Sequence, residues 1–176
     1  MLHLNAGELI ALKHQGRYYI FLVLSKSAFF GCQWTFSLYQ TYEELPTVNA
    51  LELSPKNGFV ALIDFIEPRR SNEVISIAKK INVDAYMSFA RTKALIRSYP
   101  FGGTALWYIY DQKFAILEKK QSLSAEELQY PIGSGMKASE VFELVDARWS
   151  PEVLVSISES GQYPRQAAGN PFKLTY

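Results

Sequence analysis

Residues 17–25 read Arg-Tyr-Tyr-Ile-Phe-Leu-Val-Leu-Ser, with no charged residue between Tyr18 and Leu24. Successive side chains of an extended chain point to opposite faces. Tyr18, Ile20, Leu22 and Leu24 therefore share one face, and Tyr19, Phe21 and Val23 the other. Both faces are apolar, so the strand must sit centrally and be covered on both sides. Glu8–His14 (ELIALKH) precedes it, and the intervening Gln15-Gly16 corner offers the positive-φ residue that a tight hairpin turn needs.

The rest of the chain continues in strands. Phe30–Gln40 reads as a third strand with Trp34, Phe36 and Leu38 on one face. Residues 41–57 hold two prolines and no sustained period, and read as a connection. Gly58–Ile66 (GFVALIDFI) reads as a buried strand. From Ser71 or Asn72, a good N-cap, to about Asn82, the spacing of Val74, Ile77, Ala78 and Ile81 predicts a helix. Residues 84–99 are ambiguous, with a strand at about 85–91. Thr104–Asp111 and Phe114–Lys119 form a second hairpin. Ser124 to Glu127 has capping-box spacing, and Tyr130–Met136 (YPIGSGM) is turn chemistry. Ser139 to about Trp149 is a second helix, stopped by Pro151. Glu152–Ile157 is a short apolar piece.

Hairpins without interleaved helices predict an α+β fold: a mostly antiparallel twisted sheet with two main helices packed on it. The 176 residues suit a single domain over 1–157, with 158–176 a loop-like C-terminal tail. Aromatic residues make up 14% of the chain, which suits a pleated, half-buried surface.

Chemistry is harder to find. Eighteen Lys and Arg against 17 Asp and Glu leave a net charge of +1, without the basic stripe typical of nucleic-acid binders. Cys32 is the only cysteine, so no internal disulfide or cysteine-rich zinc site can form, and it reads as a small hydrophobe. His3, His14 and Cys32 make no metal-binding constellation. Gly102-Gly103 and Gly133-Ser134-Gly135 lack the context of a phosphate loop and read as turns. No G-x-S-x-G elbow occurs. Asp64 interrupts an apolar strand, where an acid needs a partner such as Arg69, Arg70, Arg91 or Arg97. No apolar run reaches the roughly 18 residues of a membrane span, and the N-terminus lacks a signal-peptide pattern. The expectation is a cytoplasmic, non-enzymatic protein without cofactor or metal.

What remains is the aromatic content. Trp34, Trp107, Tyr108 and Tyr110 pack in a core or, where they emerge, anchor a protein partner. The pairs Glu43-Glu44 and Glu126-Glu127, with Glu52, are loop-borne acids that offer a local charged patch.

Two stretches carry a resemblance. GELIALKHQGRYYIFLVL (Gly7–Leu24) resembles the opening of bacterial immunity proteins of the immunity protein 26 type, an acidic-hydrophobic strand, a glycine turn and an aromatic strand. LWYIYDQKF (Leu106–Phe114) and SEVFELVDARWSPE (Ser139–Glu152) resemble that family's later part, with Trp149, Ser150 and Pro151 at the W-x-P-like element. Tyr19-Ile20-Phe21 and Arg148 stand where the family has glycines. The resemblance implies a protein that binds and neutralises a cognate toxin domain in the cytoplasm, without catalysis, through a charged or aromatic patch such as Trp34, Trp107, Tyr108, Tyr110, Glu43 and Glu44. The alternative is a small β-rich nucleic-acid-binding or regulatory module, although nucleic acid is disfavoured by the charge balance.

Overall fold

The computed structural model describes residues 4–25, 32–66, 68, 73–87, 91–96, 106–111, 113, 115–127 and 130–147. They fall into two compact units, one drawn from Met1–Ser88 and Met136–Arg148, the other from Phe89–Gly135 and Trp149–Tyr176.

The first unit is built around the two-sided strand. β1 (Leu9–His14) and β2 (Arg17–Val23) pair antiparallel from Leu9↔Leu22 to His14↔Arg17. The turn between them has φ of 48° at Gln15 and 81° at Gly16, the left-handed geometry of a two-residue hairpin loop. β3 (Cys32–Leu38) and β4 (Gly58–Asp64) extend the sheet beyond β2, and β5 (Val74–Ala78) pairs antiparallel with β1 on the other side. The order is β5-β1-β2-β3-β4.

The α+β expectation, with two main helices on a mostly antiparallel sheet, is corrected here. The described residues are mostly β, and one α-helix is laid out end to end, α1 (Ala138–Asp146). The helix predicted over 72–82 is instead strand β5. Its apolar residues Val74, Ile75 and Ile77 include three β-branched side chains, and the open backbone edge of β1 supplies hydrogen-bonding partners that an isolated helix would lack.

α1 forms where the second helix is expected. The Glu140 carboxylate accepts the backbone N–H of Lys137 at 2.8 Å, which satisfies one donor at the helix start. Val141, Phe142, Leu144 and Val145 are buried. Phe142 stacks on His14 at 4.7 Å and lies 4.4 Å from the Tyr19 ring, with Phe21 at 6.3 Å. The helix thus covers the Tyr19–Phe21–Val23 face of β2. On the opposite face Phe36 meets Tyr86 at 4.6 Å, and Leu51 from the 41–57 connection is buried. Gly58 opens β4 because a Cβ there would lie 2.1 Å from the Ser37 carbonyl oxygen.

The second unit holds β6 (Arg91–Ile96), β7 (Leu106–Asp111), β8 (Ile116–Lys120) and the start of β9 (Ile132–Lys137), in the order β9-β6-β7-β8. β6–β7 and β7–β8 are antiparallel, but β6 and β9 run parallel at Lys93↔Ile132, so the sheet is mixed. The stretch 130–136 that reads as turn chemistry is largely strand. Gly133 permits a close approach, since a Cβ there would lie 2.8 Å from Thr92 Oγ1. The strand expected at 85–91 falls later, at Arg91–Ile96, and Asp84–Tyr86 is a 3-10 turn. Glu152–Ile157, the 158–176 tail and the end of the predicted second helix lie outside the described residues. No helix among the described residues is long and apolar enough to cross a membrane.

Truncating Phe142 to Ala removes the ring that caps Tyr19 and Phe21, and is expected to cost about 3 kcal/mol. Urea denaturation of Phe142→Ala measures it, and a loss below about 1 kcal/mol would show that α1 does not close this face.

Candidate functional site

Of the residues singled out from sequence, Trp34, Glu43 and Glu44 belong to the first unit and Trp107, Tyr108 and Tyr110 to the second. Trp34, Trp107 and Tyr110 are buried, at 7%, 2% and 2% exposure. Tyr108 is half-buried and stacks on Tyr110 at 6.2 Å, with the Lys119 ammonium 5.1 Å above its ring. Burial, with the neighbouring Tyr108 hydroxyl, pushes the Tyr110 phenol up to about 12. Of the four aromatics Tyr108 alone is not buried. Glu43 and Glu44 are exposed.

Among the described residues, the first unit holds a cleft of about 610 Å³ where β2 begins, β3 ends and α1 terminates. Its charged lining comes from Arg17, Glu52, Lys56 and Asp146, and its amides from Gln40 and Asn57. Asp146 is the last residue of α1, where the helix carbonyls already make the environment negative. Arg17 Nη2 compensates at 2.8 Å, and the Tyr19 hydroxyl donates to both carboxylate oxygens at 2.9 and 3.0 Å. Burial raises the Tyr19 pKa, and the Asp146 bond and charge raise it further. The pair Arg17–Asp146 is partly exposed, so its value is the modest one of a surface ion pair. Its role is to fix the helix end against the first residue of β2.

Across the cleft, the 41–57 connection is held firmly. Tyr18 and Tyr42 exchange backbone hydrogen bonds at 2.7 and 3.1 Å, and Tyr39 N–H donates to the Asn57 carbonyl at 2.9 Å. The Tyr86 hydroxyl donates to the Leu53 carbonyl at 2.7 Å, and Asn57 Nδ2 donates to the Glu52 main-chain and side-chain oxygens at 3.2 and 3.3 Å. Glu52 also adds to burial in raising the Tyr42 pKa.

Ionisable groups are buried in the second unit as well. Lys93 is only 2% exposed, and its Nζ donates to the Glu127 carbonyl at 3.4 Å. Burial lowers its pKa to about 7. Glu127, 6% exposed, accepts from Lys120 Nζ at 2.6 Å and from the Ser124 backbone N–H at 2.7 Å, while its own N–H donates to Ser124 Oγ at 3.3 Å. The capping-box spacing from Ser124 to Glu127 therefore closes a reciprocal turn. Burial pushes the Glu127 carboxyl up, but the Lys120 and Ser124 bonds outweigh it and hold the carboxyl below its usual range.

Cys32 is half-buried, and burial with the Asp64 charge pushes its thiol up to about 11, which keeps it protonated. Asp64 accepts the Ile66 N–H at 2.7 Å. Arg69, Arg70 and Arg97, named as partners for Asp64, lie outside the described residues. Among the described residues no cluster of three or more His, Cys, Asp or Glu is placed to hold a metal ion.

Sequence reading missed Arg17, Lys56, Asp146 and Lys93. Arg17 and Asp146 carry a legible hint, since an acid closing a helix works against the helix dipole and calls for a nearby cation. Lys93 carries none, because its stretch shows no clear period.

Lys93 gives a pH prediction. In the unfolded chain its amine titrates near the ordinary value of roughly 10.4, against about 7 when folded. Between those two values unfolding takes up a proton, so stability rises with pH across the window and this group adds nothing further below it. Lys93→Met is expected to be more stable than the parent at pH 6 and to lose the rise between pH 7 and 10, measured by urea denaturation. A parent profile flat across that window would contradict the assignment.

No family model matches the chain, and neither a curated protein nor a solved structure matches it.

Proposed function

We propose that the protein is a non-catalytic protein-binding module of the immunity-protein kind, which neutralises a cognate bacterial toxin by binding it in the cytoplasm. The observation that carries this reading is the 41–57 connection. It leads from the cleft's lip at Thr41 to the exposed carboxylates of Glu43 and Glu44 and to Leu45, which is 44% exposed. An acidic patch with an apolar residue beside it suits a basic protein surface, such as the substrate-binding face of a toxin that acts on nucleic acid. The hydrogen bonds that anchor the connection at Tyr42, Leu53 and Asn57 hold it in advance of binding, which lowers the ordering cost of association. The resemblance carried by Gly7–Leu24, Leu106–Phe114 and Ser139–Glu152 points the same way. In the cleft two cations stand against two anions, a balance that offers little attraction to a polyanion and disfavours the nucleic-acid alternative.

Pull-down with the product of the adjacent gene tests the reading, with a toxin-like partner expected. Glu43→Lys combined with Glu44→Lys is expected to slow association about tenfold or more at low salt, with the difference shrinking as salt screens it. No capture by the parent protein, or an association rate indifferent to the double reversal, counts against it.

A further inference from the structure

The cleft's four charges are not equally engaged. Arg17 and Asp146 are bonded to each other at 2.8 Å and largely cancel. Glu52 and Lys56 are both exposed, stand four residues apart and make no ion pair among the described residues. Among the described residues the Glu52 carboxylate accepts one long amide hydrogen bond, from Asn57 Nδ2 at 3.3 Å, which leaves its charge for a ligand to meet. The cleft thus offers one uncommitted anion and one uncommitted cation, with the Gln40 and Asn57 amides beside them. Amides of this kind can donate to and accept from a main chain. At about 610 Å³ the space lies within the range of ligand sites, but its lining is charged and amide-rich where small-molecule pockets are mostly apolar.

We propose that this cleft receives a polypeptide segment that carries a basic and an acidic side chain close together, the base meeting Glu52 and the acid meeting Lys56. The proposal rests on the protein-binding reading and names what the partner presents at this cleft. A polyanion satisfies Lys56 alone and is repelled by Glu52, and a polycation has the converse difficulty.

The test needs no toxin. A short capped peptide alternating lysine and glutamate is titrated into the labelled protein, and the backbone amide signals of Gln40, Thr41, Lys56, Asn57 and Asp146 are followed. Capped all-lysine and all-glutamate peptides and a single-stranded DNA oligonucleotide serve as comparisons. The mixed peptide is expected to shift the cleft signals and to bind more tightly than each comparison by about fivefold per added charge pair, the scale of an exposed ion pair. Glu52→Lys and Lys56→Glu are each expected to lose about fivefold, and the two together to restore binding, because an alternating peptide can slide by one position. The cleft proposal is overturned if the cleft amides do not move, if any comparison ligand equals the mixed peptide there, or if the double swap fails to restore binding. If peptide binding is found but no toxin is captured by pull-down, the immunity reading fails alone; capture of a toxin with an unresponsive cleft removes only this inference.

Discussion

The need to cover both faces of β2 organises the first unit. Tyr19, Phe21 and Val23 require a layer on one side and Tyr18, Ile20, Leu22 and Leu24 a layer on the other, because apolar surface left in water is costly in proportion to its area. The two layers differ in kind. α1 lays Phe142 over Tyr19 and Phe21, while the 41–57 connection and the turn at Tyr86 close the side of Phe36 and Leu51. The cleft lies where these layers end. α1 stops at Asp146 beside Arg17, and the connection passes Glu52 and Lys56, so the mixed charge of the cleft follows from which residues terminate each layer.

The second unit solves a different problem. A lysine and a glutamate sit in its interior, and each is accommodated by specific hydrogen bonds. Glu127 bonds to both the N–H of Ser124 and the ammonium of Lys120, and its carbonyl accepts from Lys93. Removing one member of such a set leaves a buried polar group exposed to a larger penalty than the bond it made, which favours keeping the set intact.

The hairpin β1–β2, β3, β4 and α1 are legible in the sequence because period and turn chemistry agree there. Gln15-Gly16 does adopt the left-handed turn, and Val141, Leu144 and Val145 do face inward. The segment 72–82 was not legible, because Val74, Ile77 and Ala78 fit a helical stripe and a strand equally over so short a run. Its state was decided by the free edge of β1, a partner that lies more than 60 residues away in the chain. The glycines of 133–135 mislead for a similar reason: a residue that permits turns also permits the close strand approach at Thr92. Of the candidate site, the exposed acids Glu43 and Glu44 were readable as loop charges. The Arg17–Asp146 contact spans 129 residues, so the acid near the helix end hints at a cation without naming which one.

The amine of Lys93 has one more consequence. With burial drawing its pKa down to about 7, the amine exchanges its proton within the neutral range, where an exposed lysine stays charged. The formal net charge of +1 counts that lysine as fully charged. Loss of that one proton takes the net charge from +1 to zero. Proteins this close to electroneutrality repel one another weakly, so mild acid, which keeps that proton in place, moves the molecule away from its point of least colloidal stability at no further cost to the fold from this lysine.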